Sequence, residues 1–169
     1  SEYDYDPGRY ENYANNYAVE NFKLLAKIDW NINDNHKMTL RFNTMSGTSD
    51  QGTNASSGPN PRSSTARISS NSIAFENANY SFTNVVTSLT GELNSVLTPS
   101  LSNQFLATYS RIQDTRSTPG DIFPMVDIWK DGTNYMTFGT ELFSYNNEVI
   151  NDNVSITNNL VYLAGSHTI

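Results

Sequence analysis

From Phe22 to Phe42 every second residue is apolar or aromatic and every charged side chain falls in the opposite register, interrupted only by Asn33-Asp34-Asn35-His36. Phe22, Leu24, Ala26, Ile28, Trp30 and Ile32, then Met38, Leu40 and Phe42, hold one register, while Lys23, Lys27, Asp29, Lys37 and Arg41 hold the other. A period of two sends successive side chains to opposite faces of a strand, so the segment predicts two strands, about 21–32 and 37–45, joined by a tight turn at 33–36. From Phe22 to Ile32 and from Met38 to Phe42, one face of that hairpin carries nothing polar. It needs an apolar medium against it, and that medium is either a protein core or lipid.

The same alternation returns further along. The segment 72–97 places Ala74, Ala78, Tyr80 and Phe82 in one parity and Val85, Leu89, Leu93 and Leu97 in the other, so a one-residue bulge near Thr83-Asn84 is expected to keep both halves on one face. Strand 101–113 sets Leu101, Phe105, Ala107 and Tyr109 against Ser102, Gln104, Thr108 and Ser110. Arg111 falls in its apolar register; on a lipid face it would cost roughly 2–4 kcal/mol at mid-membrane and less at an interface. Strand 149–163 carries Val154, Ile156, Leu160 and Tyr162 opposite Ser155, Thr157 and Asn159, and a sixth strand starts at 167. The chain stops inside that start, so it reads as a piece of something longer.

Helices find little support, because Asn occurs 23 times among abundant Ser and Thr while Lys, Glu and Ala are scarce. With 37% hydrophobic residues in 169, material for a conventional core is thin. The net charge of -7 comes without any basic stripe, which argues against a nucleic-acid partner. Absence of cysteine excludes thiol catalysis and cysteine-ligated metal. No signal-peptide pattern opens the chain, and no apolar run is long enough for a helical span, although β-barrel strands escape such a scan.

Connection lengths separate the two media. Short turns at 33–36, 98–100 and 164–167 alternate with long segments at 1–20, 46–71 and 114–148. In an up-and-down sheet all short turns then share one end and all long loops the other, the asymmetry of outer-membrane barrels with short periplasmic turns. Loops of twenty or more residues in succession are unusual in compact soluble domains. Loop 46–71 is low-complexity and solvated, whereas 114–148 holds Ile122, Phe123, Trp129, Tyr135, Met136, Phe138 and Phe143 and is expected to fold on itself. The aromatic residues Trp30, Tyr80, Phe82 and Tyr109 lie near strand ends, where a membrane barrel carries its girdles.

Two stretches carry a family resemblance: KLLAKIDWNINDNHKMTLRFN from Lys23 to Asn43, and TSLTGELNSVLTPSLSNQF from Thr87 to Phe105. Both resemble the barrel of TonB-dependent outer-membrane receptors, nearest the SusC-like and Oar-like branch, and Phe123-Pro124 and Asn153 to His167 resemble later parts of the same region. The motifs encode strands and turns and no chemistry. The resemblance implies a bacterial outer-membrane nutrient transporter with a plug and a barrel of about 22 strands, energised through TonB and in some members joined by a surface lipoprotein. The plug and the TonB-contacting part would lie outside this chain.

Chemical constellations are sparse. His36 and His167 sit in turns without metal-ligand spacing around them. Glu2, Asp4, Asp6 and Glu11, or Asp121, Asp127 and Asp131, offer oxygens for calcium but lack the spacing of a calcium loop, and read as solvated charge. No Gly-x-Ser-x-Gly elbow occurs, Asp29 and Glu92 have no reason to pair, and neither enzyme activity nor a cofactor is expected. Trp129, Lys130, Tyr135 and Phe138 in the long loop are the candidate ligand contacts, against the plainer reading that the loop packs on its own neighbours. Lys27, Arg41 and Glu92 are expected to face the lumen.

The sequence therefore predicts an all-β, antiparallel, up-and-down transmembrane barrel segment with long surface loops. Its partners would be outer-membrane lipid, the remaining barrel and plug, TonB, and a surface lipoprotein. A soluble or surface β-sandwich acting as an adhesin or carbohydrate-binding module is the alternative, and a porin-like barrel without a plug is a third.

Overall fold

The computed structural model describes residues 4–10, 17–54, 67 and 69–169. It is all-β: strands take 67% of the described residues and assemble mainly antiparallel, with no α-helix among them. The strands are β1 (Val19–Asn33), β2 (His36–Gln51), β3 (Ile73–Ala74), β4 (Tyr80–Thr98), β5 (Leu101–Ser117), β6 (Val126–Lys130), β7 (Thr133–Phe138), β8 (Glu148–Ala164) and β9 (His167–Thr168). Six form one sheet in the order β1-β2-β4-β5-β8-β9, and three form another in the order β3-β7-β6. The all-β, antiparallel class expected from sequence is thus observed, and no closed barrel is found among the described residues.

The turns are tighter than the sequence pattern suggested, because strand pairing runs to Asn33 and resumes at His36. Only Asp34 and Asn35 remain between, and the Asn33 side-chain oxygen accepts the Asn35 N–H at 2.9 Å, the local turn chemistry of Asn. The segment expected as one strand over 72–97 divides. Ile73–Ala74 joins the smaller sheet, Glu76–Ala78 makes a 3-10 turn, and β4 begins at Tyr80.

The expected bulge at Thr83-Asn84 is also corrected. Thr44 bonds to Thr87, Thr48 to Thr83 and Asp50 to Ser81, so partners on β2 and β4 advance in equal steps past that point. Tyr80 and Phe82 therefore stay in the register of Glu92, and Arg116 lies over both rings at 5.9 and 5.8 Å. They leave the list of girdle residues. The parity switch in sequence is a change of which face is apolar, without any extra residue.

Two compact units divide the chain, one of residues 21–46, 84–113 and 150–169, the other of 1–20, 47–83 and 114–149. In the first, no described residue forms a layer over the apolar register. Ile28 is 63% exposed, Trp30 60%, Leu97 52% and Ile156 66%, values foreign to a sheet with a covering layer. Among the described residues the buried apolar side chains are Ala74 and Ala78, both in the second unit.

The second unit holds the small sheet. β6 and β7 pair antiparallel with Val126 opposite Phe138 and Lys130 opposite Thr133, and β3 pairs parallel with β7. Asp131 and Gly132 both have positive φ, 53° and 78°, as a two-residue hairpin turn of the mirror-image type requires. Gly139 has φ 99°, and a Cβ there would lie 2.2 Å from the Pro124 carbonyl oxygen, whereas one on Gly132 would meet nothing within 4 Å. Gly139→Ala is expected to destabilise this unit by about 2 kcal/mol or more, and Gly132→Ala by about 1 kcal/mol. Hydrogen exchange of the β6 and β7 amides reads both, and equal effects would show that the Pro124 contact is unimportant.

Candidate functional site

The long connection between β5 and β8 is built around the β6–β7 hairpin, where the candidate ligand contacts fall. Register slips between Ile128 and Trp129: Ile128 stands opposite Met136 and Trp129 opposite Asn134, which leaves Tyr135 as the extra residue of a bulge. Trp129, Lys130 and Tyr135 are exposed. Lys130 Nζ lies 5.7 Å from the Tyr135 ring centroid, so two of the four candidates meet as a cation–π pair. Beside them an open hollow of about 610 Å³ is lined by Asn71, Ser72, Lys130, Asp131 and Tyr135 among others.

Phe138 has a different role. Its ring meets Phe75 edge-on at 6.4 Å and Phe123 at 6.2 Å, and Phe123 in turn stacks on Tyr5 at 4.1 Å. Offset and edge-to-face contacts of this kind stabilise by about 0.5–1.5 kcal/mol beyond burial. Phe138 thus belongs to the aromatic packing that holds the unit together, and it is not a free contact.

Behind the hairpin lies a polar cluster that sequence pattern did not single out. Arg67 donates from Nε to Asp127 Oδ1 at 2.8 Å and from Nη2 to Oδ2 at 2.6 Å, and its Nη1 reaches the Asn54 carbonyl at 2.7 Å. Asn134 and Thr137 also donate to Asp127 Oδ1, at 3.1 and 2.7 Å. The Arg67 side chain is 3% exposed and that of Asp127 11%, so this is a buried, bidentate pair whose Asp127 Oδ1 takes three donors. Glu141 is buried too; its Oε2 accepts from the Phe143 N–H and the Ser144 hydroxyl, which ties off the turn after Thr140, while its Oε1 has no hydrogen-bond partner.

These contacts decide what the acidic residues do. Asp127 is committed to Arg67, Asp6 accepts the Gly8 N–H, and Glu76 holds Arg9 at 2.8 Å. Hydrogen bonding from Arg9 keeps the Glu76 carboxyl below its ordinary range. Among the described residues no three carboxylates or imidazoles gather as a metal site, and Glu2 and Glu11 lie outside them. His36 is bound by its Nδ1 to Ser95 Oγ at 2.9 Å rather than solvated, and His167 opens β9.

The polar register of the large sheet forms its own network within the other unit. Arg41 donates to Glu92 at 2.9 Å, Asn94 and Gln104 donate to the second Glu92 oxygen at 2.9 Å, and Asn159 donates to Gln104 at 3.1 Å. Four strands, β2, β4, β5 and β8, are linked by that chain. Lys27 pairs with Asp29 at 2.8 Å, and Thr39 donates to Asp29 at 2.7 Å. Arg41 and Glu92 are thus brought together, while Lys27 keeps a separate partner and Asp29 does not pair with Glu92. Single residues of this network were legible from alternation alone; their pairing depends on strand register, which alternation leaves open.

No family model matches the chain, and neither does any curated protein or solved structure.

The Arg67–Asp127 pair has a pH signature. Burial pushes the Asp127 carboxyl up, but the hydrogen bonds from Arg67, Thr137 and Asn134 and the Arg67 charge outweigh it and hold the group below its ordinary range. A carboxyl whose folded pKa is lowered adds stability above its unfolded value, near 3.9, and loses it as pH falls through the folded value. Protection of the β6–β7 amides is expected to decay with acidification below about pH 4. Asp127→Ala, which strands a buried guanidinium, is expected to cost about 3–5 kcal/mol at neutral pH and to remove that acid dependence. An unchanged profile in the variant would assign the acid sensitivity elsewhere.

Proposed function

We propose that this chain is part of an outer-membrane TonB-dependent nutrient transporter, supplying barrel wall and extracellular loops. The observation that carries the reading is the two-sided sheet: an apolar register left bare, and a polar register that satisfies itself laterally along four strands. A face of bare aliphatic and aromatic residues is stable against lipid, and a hydrogen-bonded polar face suits a wet lumen. A β-sandwich needs a second sheet over the apolar face, and no such layer covers it among the described residues. The resemblance of Lys23–Asn43 and Thr87–Phe105 to receptor barrels supports the same reading and supplies its particular class.

On this reading the proposed surroundings are outer-membrane lipid, the rest of the barrel with its plug, TonB, and a surface lipoprotein. Expression without detergent tests the membrane setting. Aggregation reversed by detergent is expected, because a bare apolar face and unpaired edges associate; a monodisperse, cooperatively folding monomer in plain buffer would overturn it. Within the transporter, Trp129 and Tyr135 are the exposed aromatic surface offered to a ligand. Replacing both with Ala is expected to raise the half-saturating substrate concentration for uptake about tenfold, the loss of roughly 1.4 kcal/mol of ring contact. Unchanged uptake would remove the hairpin from the ligand path.

A further inference from the structure

The apolar face of the large sheet is crossed by two polar rows. At the first, His36 Nδ1 and Ser95 Oγ lie 2.9 Å apart, and the register that joins Thr90 to Thr108 puts Asn103 opposite Ser95. At the second, Thr44 bonds to Thr87, Arg111 stands opposite Thr87 by the same register, Arg111 approaches Asp152 at 3.9 Å, and the Tyr109 hydroxyl donates to Asp152 at 2.6 Å. The rows are eight residues apart on each strand, as His36 is from Thr44 and Asn103 from Arg111. Between them the face is apolar, as at Trp30, Leu40, Leu93, Phe105 and Ile156, with Asn158 and the Tyr109 hydroxyl as the polar exceptions.

We propose that these rows mark the two edges of the lipid contact, with bilayer hydrocarbon touching the sheet from His36–Ser95–Asn103 to Thr44–Thr87–Arg111–Asp152. This rests on the reading of the chain as membrane wall. Eight residues rise about 26 Å along a strand, or about 20 Å of bilayer when strands tilt by about 40°, most of an apolar band about 25 Å tall. The pairing within the rows fits the assignment. At a boundary with hydrocarbon on one side, a hydroxyl, imidazole or charge is best satisfied sideways, by its neighbour on the next strand, and here His36, Thr44, Arg111 and Tyr109 each meet such a neighbour, while Asn103 Oδ1 is left without a hydrogen-bond partner. Arg111, costly at mid-membrane, then lies at headgroup level, with its charge beside Asp152 and accessible to lipid phosphate.

The absence of cysteine makes a direct test simple, because any single cysteine is a unique labelling site. Nitroxide would be placed at 40, 107 and 156, which share the central row through Leu40→Cys, Ala107→Cys and Ile156→Cys, and beyond the second row through Ser46→Cys, Gln113→Cys and Ile150→Cys. In the protein reconstituted in phosphatidylcholine bilayers, collision with oxygen is expected to exceed collision with a water-soluble nickel chelate at the central row, and the order to reverse at the outer row. Oxygen-rich labels in both rows would overturn the boundary while leaving the membrane wall intact. Nickel-rich labels in the central row would overturn both.

Discussion

Lateral satisfaction of polar side chains is the constraint on which the large sheet depends. A single layer has no second layer to hide against, so each polar group on it must find water or a neighbour on the next strand. Glu92 shows how this is met: Arg41, Asn94 and Gln104 all donate to it, and Asn159 continues the chain through Gln104. Exposed ion pairs of this kind contribute little individually, about 0–1 kcal/mol. Their value here is positional, because each bond holds only when the strands are in register, and a slip of one residue would turn every charged side chain to the apolar face.

The loop unit meets a different problem by a different route. Among its described residues the buried apolar side chains are two alanines. Its interior is instead a bidentate Arg67–Asp127 pair, the amide and hydroxyl of Asn134 and Thr137, a buried Glu141, and aromatic contacts among Tyr5, Phe75, Phe123 and Phe138. Such an interior trades strength for specificity of geometry. Removing one member leaves another unpaired, so the hairpin that presents Trp129 and Tyr135 is held in one arrangement by partners it cannot exchange.

What the sequence revealed and what it hid follow from range. Alternation is a local signal, and it located Phe22–Ile32, Met38–Phe42 and the leucines of β4 on one side because period two needs only adjacent residues. The Asp131-Gly132 turn is likewise local, since its backbone demands residues tolerant of positive φ. The pairing of Arg67 is not: Arg67 lies 60 residues from Asp127, and nothing near either marks the other. The bulge misread at Thr83-Asn84 has the same origin. A change in the identity of the apolar face and an inserted residue look alike along one strand, and only the partner strand, through Thr48–Thr83 and Asp50–Ser81, separates them.

The same distinction bears on Phe138, Trp129 and Tyr135, three aromatics within ten residues that composition treats alike. Strand pairing sorts them. Phe138, opposite Val126, is drawn into contact with Phe75 and Phe123, so its ring serves the fold. Tyr135 is the bulged residue, with no partner across the ladder, and its ring carries Lys130. A bulge re-aims a side chain at the expense of one ladder position. Under the proposed transporter reading, that re-aiming is what favours Tyr135 and its neighbour Trp129 as ligand contacts over Phe138, whose ring is taken up by packing.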